Sequence, residues 1–220
     1  MPLLAYCLSE SHPVVVPQRG VAEFPVETLE QGGIRCFFSR SNNRGQILGP
    51  PARETALAFY EVINSIFRQL AVIPFRFPTI LEDQTKLRDY LLERESTYRE
   101  VLLRLRNLVQ MELHLLRKSS SLERGHGNLG ASRTGLEYLR ARQAEQCGLA
   151  DLSVALRQSA RSFLREWRER PSAHSLRCFA LIERNVIDDF KKAILATRVP
   201  EELSVRVSGP WPASGFISEL

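Results

Sequence analysis

A glycine-rich run in the middle of the chain is the first candidate for chemistry. Residues 125–130 read Gly-His-Gly-Asn-Leu-Gly and match the pattern G-x-G-x-x-G, and Glu145 follows at a spacing typical of dinucleotide-binding folds. That chemistry requires a buried strand that leads directly into the glycines and a helix that opens on the pyrophosphate. Residues 118–124 are instead rich in serine and charge. We therefore predict a flexible loop near 118–132 rather than a dinucleotide site.

No other set of residues has the spacing of a metal centre or a catalytic site. The histidines are far apart and form no H-x-x-x-H or H-E-x-x-H pattern: His12, His114, His126 and His174. The cysteines form no C-x-x-C pair and are predicted to be buried thiols: Cys7, Cys36, Cys147 and Cys178. There is no G-x-S-x-G elbow or Walker loop, and residues 188–192 are predicted to be a charged helical face. We therefore expect no metal, no cofactor and no enzymatic activity.

A group of arginines in the second half has a more informative spacing. Residues 136–170 have the period of a helix, with a break at Gly148 and an end at Pro171. One side of that helix would be apolar: Leu152, Leu156, Phe163 and Trp167. The opposing side would carry the set that we call the arginine cluster: Arg157, Arg161, Arg165 and Arg168.

Three interpretations of the arginine cluster remain open. It is a solvated face, a surface for an acidic partner, or a contact for nucleic acid. No aromatic residues lie between the arginines to stack on bases, and Glu166 and Glu169 reduce the local positive charge. Nucleic acid is therefore not the expected partner.

The composition describes a globular protein with a mild basic bias. The chain has 220 residues, 44% of them hydrophobic and 25% charged, with a formal net charge of +5. This length buries a sizeable core in one large domain or two small ones. Residues 1–8 are apolar but lack a basic region, and no run of about 18 apolar residues occurs. We expect a soluble, cytoplasmic protein without a membrane segment.

The first 80 residues predict an N-terminal α+β domain. Strands are expected at Leu3–Leu8 and Ile34–Phe38, and the second begins after a turn at Gly32-Gly33 that requires positive φ. Residues 56–70 have the three-to-four apolar spacing of a helix.

The stretch 71–83 closes that domain. Its β-branched and aromatic residues, 72–77, are of the kind that fill a central, buried strand. Pro74 lacks an N–H donor and therefore requires an edge, a bulge or the first residues of the strand. Pro78 is predicted to end the strand.

Residues 81–220 predict a second α+β domain with long helices. One long helix begins near Glu82, and further strands are expected at 109–115, 177–182 and 203–207. A helix over 186–196 would turn Phe190 and Ile194 inward. His114 is expected on the polar face of its strand. The order β-α-β-α-β predicts a ferredoxin-like or related split β-α-β topology.

Trp211 lies between two prolines after the last predicted strand. A glycine turn and the fixed φ of Pro210 and Pro212 hold its backbone rigidly. We expect the ring to pack back onto the core and to be mostly buried, because a large indole gains most by leaving water. The alternative is a surface anchor for a partner.

Two segments also carry a resemblance to a known family. Residues 72–80 read Val-Ile-Pro-Phe-Arg-Phe-Pro-Thr-Ile, and residues 203–216 contain Gly-Pro-Trp-Pro. They resemble the V-L-P-x-R-F-G-T and L-T-G-P-W-P-P-Y-S-F segments of the gas vesicle accessory proteins of the F/L family. Shorter likenesses lie between them, at 32–34, 135–139 and 181–190. The chain departs from that pattern at Pro78, where glycine is usual, at Ser214, where tyrosine is common, and at Phe59 or Tyr60, in a region that often carries histidine.

The resemblance implies an accessory protein of the gas vesicle, a gas-filled protein shell. Such a protein would bind the small hydrophobic shell protein, with other accessory proteins as further candidate partners, and would assist nucleation or growth of the shell in the cytoplasm. The candidate partner-binding residues are the arginine cluster and Trp211. The alternatives are a basic regulatory or nucleic-acid-binding module, and a hydrolase whose site is assembled only in the fold.

Overall fold

Two separate four-stranded sheets, each accompanied by helices, organise the chain in the computed structural model. The structure describes residues 1–41, 52–118, 148–172 and 174–217. Several predictions concern residues outside these ranges. They are the loop at 118–132 with its glycine motif, apart from Lys118, and the helical residues 136–147, together with His126 and Cys147. The predicted mixed α+β class is confirmed.

The chain forms two compact units whose boundary differs from the predicted division at residue 80. The first unit comprises Met1–Val109 and Pro212–Leu220, and the second comprises Gln110–Trp211. The reason is that the helices after residue 80 complete the core of the first sheet. Leu87 and Tyr98 from these helices belong to the same buried cluster as Leu3 of the first strand.

The first sheet has the strand order β2-β3-β1-β4. Its strands are β1 (Leu3–Glu10), β2 (Glu27–Gln31), β3 (Ile34–Arg40) and β4 (Val72–Leu81). Adjacent strands pair in antiparallel orientation. Gly32 and Gly33 join β2 to β3 with φ values of +57° and +80°. The predicted strands at the start of the chain and the glycine turn are therefore confirmed.

Strand β4 is an edge strand, and the prediction of a central strand was wrong. Only Val72 and Ile73 are buried in it. An edge position suits Pro74 and Pro78, because one side of an edge strand makes no ladder hydrogen bonds. The register with β1 shifts between Ala5 and Cys7, which face Thr79 and Pro74. The strand runs past Pro78 to Leu81, so this proline does not end it.

Three helices accompany the first sheet. They are α1 (Ala52–Phe67), α2 (Gln84–Glu93) and α3 (Glu95–Leu105). The long helix predicted from Glu82 is divided in two at Arg94, whose φ of −122° and ψ of 12° are not helical. Asp83 caps α2 by accepting the N–H of Lys86 at 2.8 Å, which satisfies one of the free donors of the first turn.

The second sheet has the strand order β6-β7-β5-β8. Its elements in chain order are β5 (Leu108–Arg117), helix α4 (148–159), β6 (Leu164–Pro171), β7 (Ser175–Glu183), α5 (Ile187–Leu195) and β8 (Leu203–Trp211). The pairs β5–β8 and β6–β7 are antiparallel. The order β-α-β-β-α-β is that of the ferredoxin-like arrangement. Phe190 and Ile194 of α5 are buried, as predicted.

Strand β6 replaces the last part of the helix that was predicted over 136–170. The described helix ends at 159, a turn follows, and 164–171 pairs with β7. Trp167 and Glu169 lie opposite Ala180 and Cys178 on one face of the sheet, and Arg168 between them lies opposite Phe179 on the other face. The helical prediction was wrong here because pairing with an apolar neighbouring strand overrides the helix propensity of arginine and glutamate.

The residues after Trp211 return to the first unit. A 3₁₀ turn covers Ser214–Phe216, and Phe216 is fully buried. The guanidinium of Arg104 in α3 donates to the carbonyl oxygen of Phe216 at 2.7 Å. Ile217 packs against the core of the first sheet. The tail is therefore a structural part of that core.

We predict that Phe216→Ala lowers the free energy of unfolding by about 3–5 kcal/mol, because it leaves a cavity in place of a buried aromatic ring. Leu195→Ala is the matched control, since Leu195 is 80% exposed, and it should change stability by about 0.5 kcal/mol or less. Urea denaturation of both variants measures the difference. Equal stabilities for the two variants would contradict the role of the tail.

Candidate functional site

The arginine cluster does not lie on one helical face. Arg157 is exposed on α4, and Arg161 is exposed in the turn that follows. Arg165 and Arg168 belong to β6. The structure therefore divides the predicted cluster between a helix end and a sheet.

Contacts of α4 identify the two faces of the second sheet. The hydroxyl of Ser153 in α4 donates to Glu169 Oε1 at 2.6 Å and lies 3.3 Å from Cys178 Sγ. Glu169 and Cys178 are direct cross-strand partners and therefore share one face, which we call the inner face. Arg168 and Arg170 alternate with Glu169 along β6 and lie on the opposite face.

We call that opposite surface the outer face of the second sheet. Direct pairing, strand alternation and the Arg177–Glu112 ion pair place residues of all four strands on it. Its members are Arg165, Glu166, Arg168 and Arg170 of β6, Arg177, Phe179, Leu181 and Glu183 of β7, Glu112 and His114 of β5, and Arg206 and Ser208 of β8.

Ion pairs satisfy most of the charge on the outer face. Arg168 Nε lies 2.6 Å from Glu166 Oε1, and Arg177 Nε lies 2.9 Å from Glu112 Oε1. Arg165 forms an ion pair with Glu183. These contacts use all three glutamates of the outer face, so Arg170 and Arg206 supply its excess positive charge.

The aromatic ring at the centre of the outer face is not accessible for stacking on a nucleic-acid base. The guanidinium of Arg170 lies over the ring of Phe179, 5.3 Å from its centroid, and Phe179 is buried. Sheet surfaces that bind nucleic acid require accessible aromatic rings on their central strands. The one central aromatic ring here is already covered by a side chain of the same sheet. This arrangement does not favour base recognition.

Trp211 is 41% exposed, and the prediction that it is mostly buried was wrong. It ends β8 beside the outer face, where its Nε1 donates to Ser208 Oγ at 3.2 Å. Gly209 precedes it with φ of +115°, and an added Cβ there would meet the Gln110 carbonyl oxygen at 2.9 Å. A side chain at position 209 would therefore be strained and would collide with β5, so the turn into Trp211 requires glycine. Arg165 and Arg168 lie at the opposite edge of the sheet, three strand spacings or about 15 Å away.

The first unit has exposed apolar residues that sequence reasoning missed. Leu57 and Tyr60 lie one turn apart on α1 and are 55% and 53% exposed. Their i, i+3 spacing on the polar side of the helix was the available signal. The neighbouring Phe59, by contrast, is fully buried against Tyr6 and Phe77.

The described cysteines are unsuited to nucleophilic chemistry. Burial raises the pKa of Cys7 and of Cys36 far above the range of ordinary thiols. Burial raises the pKa of Cys178 to about 11, and the charge of Glu169 acts in the same direction. A nucleophilic thiolate is thus strongly disfavoured near neutral pH. Within the described ranges, no group of three His, Cys, Asp or Glu side chains could hold a metal, and no helix has the length and apolar content needed to cross a bilayer.

Comparisons with known proteins agree on one family. The family model for the gas vesicle synthesis proteins GvpL/GvpF matches residues 2–218. The crystal structure of the gas vesicle protein GvpF from Anabaena sp. PCC7120 is similar over 99% of this chain and 97% of that chain, with a TM-score of 0.79 and 13% identity. The structure of GvpF from Microcystis aeruginosa is similar over 98% of each chain, with a TM-score of 0.75 and 13% identity. A search of curated protein sequences found no match.

We predict that Trp211→Ala lowers the free energy of unfolding by about 1–2 kcal/mol, less than the cost of truncating a fully buried aromatic ring, because Trp211 is already 41% exposed in the folded protein. Trp167→Phe leaves Trp211 as the only tryptophan of the chain. The fluorescence of that variant should be quenched efficiently by acrylamide in the native state. A blue-shifted emission that acrylamide does not quench would contradict the exposed position of Trp211.

We predict that the free energy of unfolding falls as the pH rises above 9 toward 11. The native state keeps the proton of Cys178, whose pKa is raised from its usual 9.0 to about 11, while the unfolded chain loses it. The unfolded state then binds fewer protons, so stability decreases with pH. In Cys178→Ala this loss should be smaller. Urea denaturation at a series of pH values measures both slopes, and equal slopes would exclude a contribution from this thiol.

Proposed function

The chain belongs to the GvpL/GvpF family of gas vesicle synthesis proteins, and we propose that it binds the small hydrophobic shell protein of the gas vesicle during nucleation or growth of the shell. Membership over residues 2–218 supports an accessory role in gas vesicles and association with them in the cell. The family is one of gas vesicle assembly proteins and is not a known enzyme family.

The observation that carries the proposal is the exposed indole of Trp211 on a rigid strand end. A shell subunit with an apolar face aggregates in water unless a partner covers that face. Trp211 exposes part of a large apolar side chain, and the neighbouring prolines, Pro210 and Pro212, restrict the backbone on both sides of it. A preorganised aromatic anchor loses little conformational entropy on binding, which is why tryptophan is frequent among the residues that dominate interface energies. Trp211 is therefore the proposed contact for the shell protein.

The arginine cluster is proposed to act mainly during approach. Arg157 and Arg161 are exposed, and Arg165 is ion-paired but remains largely accessible to solvent. Exposed charges contribute little to the stability of a contact but raise the association rate with an acidic surface at low salt. We propose this steering role for Arg157, Arg161 and Arg165.

The test is co-expression of the tagged chain with the shell protein, followed by pull-down and by association kinetics of the purified complex. Trp211→Ala should weaken binding by at least about tenfold, the loss typical of a central aromatic anchor. Leu195→Ala, which truncates another exposed apolar side chain, should bind like the wild type.

Triple reversal of Arg157, Arg161 and Arg165 to glutamate should lower the association rate about tenfold at low salt, and the difference should vanish at high salt. Reversal of Lys191, Lys192 and Arg198 to glutamate changes the net charge equally and serves as the control. The absence of any complex with the shell protein would refute the proposal. Tight, salt-sensitive binding to DNA or RNA that the first triple variant abolishes would instead favour the nucleic-acid alternative.

A further inference from the structure

The four sheet edges of the molecule differ in how well they exclude an additional strand. An edge strand presents unpaired N–H and C=O groups, and proteins protect such edges with short strands, prolines, bulges or dense charge. Strand β2 has only five residues, and β4 contains Pro74 and Pro78. Strand β6 has a register shift, ends at Pro171, and is mostly Arg and Glu. Three of the four edges are therefore protected.

Strand β8 lacks these protections over most of its length. Residues 203–208 read Leu-Ser-Val-Arg-Val-Ser, with one charge and no proline. The glycine, the register shift and Pro210 come only at its end. This unprotected stretch extends over about 20 Å, which is the length of an ordinary strand.

The hydrogen-bond register identifies which backbone groups β8 leaves unpaired. The N–H of Lys118 donates to the carbonyl oxygen of Glu202 at 2.8 Å, so this residue pair is hydrogen-bonded. Hydrogen-bonded and non-bonded pairs alternate along an antiparallel ladder. Residues 204, 206 and 208 therefore bond to β5, and the backbone groups of Val205 and Val207 are directed away from it. No hydrogen bond in the described part of the chain uses these groups.

The side chains along this edge define the chemistry of a matching strand. Val205 and Val207 lie half-buried on the inner face, while Arg206 and Ser208 lie on the outer face next to Trp211. A strand added here would place aliphatic residues beside the valines. It would place an acidic residue opposite Arg206, because opposite charges on facing strands attract.

We propose that the outer edge of β8 accepts an extended segment of the shell protein as a fifth strand of the second sheet, with aliphatic residues alternating with acidic or small polar ones. This inference rests on the proposed function and specifies how the partner is held. Main-chain hydrogen bonds to Val205 and Val207 supply affinity with little dependence on sequence, and the alternating side chains supply specificity. Trp211 lies at the end of the same edge beside the outer-face residue Ser208, so its ring contacts the incoming segment on the side that faces Arg206.

A second copy of this chain is a poorer occupant of the same edge. Two β8 strands paired across a two-fold axis would bring two Arg206 side chains close together on one face. Each copy also carries a formal net charge of +5, so the approach of two copies is repulsive. A segment with acidic residues meets neither obstacle.

Amide hydrogen exchange of Val205 and Val207 tests the proposal directly. In the free protein both amides should exchange rapidly, and in the complex with the shell protein both should be protected at least about a hundredfold. Val205→Pro removes one outward N–H and should weaken binding at least tenfold. The fold should persist, because an edge strand tolerates proline where its N–H faces solvent. Val205→Thr keeps the N–H and the branched shape and should bind like the wild type.

The outcomes separate this inference from the proposed function. A complex that forms while both amides continue to exchange rapidly would overturn the added strand and leave the function standing. If no complex forms, the proposed function fails and the inference fails with it. Protection in the free protein that increases with concentration would show that a second copy occupies the edge, which also overturns the inference. Circular dichroism of Val205→Pro establishes that its loss of binding does not come from unfolding.

Discussion

Backbone hydrogen bonding at the edges of two small sheets is the constraint on which the rest of this structure depends. Each sheet has two edge strands, and each edge strand leaves half of its N–H and C=O groups without a strand partner. Pro74 and Pro78 are tolerated in β4 because its outer side makes no ladder bonds. The same requirement places the charged β6 at an edge, where long polar side chains reach water. The order of strands in each sheet thus follows from which segments can leave one side unpaired.

The elements that were predictable from the sequence are those in which the pattern of apolar side chains indicates which residues are buried. Strands β1, β3 and β7 each contain a run of at least three consecutive buried apolar residues, and no solvated helix face would carry such a run. Helix α5 shows Phe190 and Ile194 one turn apart, and both are buried. The two glycines between β2 and β3 predicted a turn with positive φ, because few other residues adopt positive φ at two consecutive positions.

The features that the sequence did not predict depend on contacts between distant segments. The run Arg-Glu-Trp-Arg-Glu-Arg in β6 suits a helix or a strand, and pairing with β7 decides between them. The prolines beside Trp211 fix its backbone, but they carry no information about whether another element covers the ring. The boundary between the units lies inside β5, where no change of composition marks it. The arginines and Trp211 were predictable as candidate contact residues. Their distribution over helix α4, the turn after it and the outer face of the second sheet was not.

Charge and apolar contact have separate tasks on the second unit. Burying the outer face would desolvate three ion pairs. The free energy lost by removing such charges from water is often as large as the free energy gained from the new contacts. A partner that pairs with the edge of β8 leaves those ion pairs in water and still gains main-chain hydrogen bonds and contact with Trp211. Arg157 and Arg161 lie elsewhere, on the exposed end of α4 and the turn that follows, where their charges act at a distance on an approaching chain. Approach and retention therefore depend on different residues, so substitutions that change the association rate should leave the dissociation rate largely unaltered.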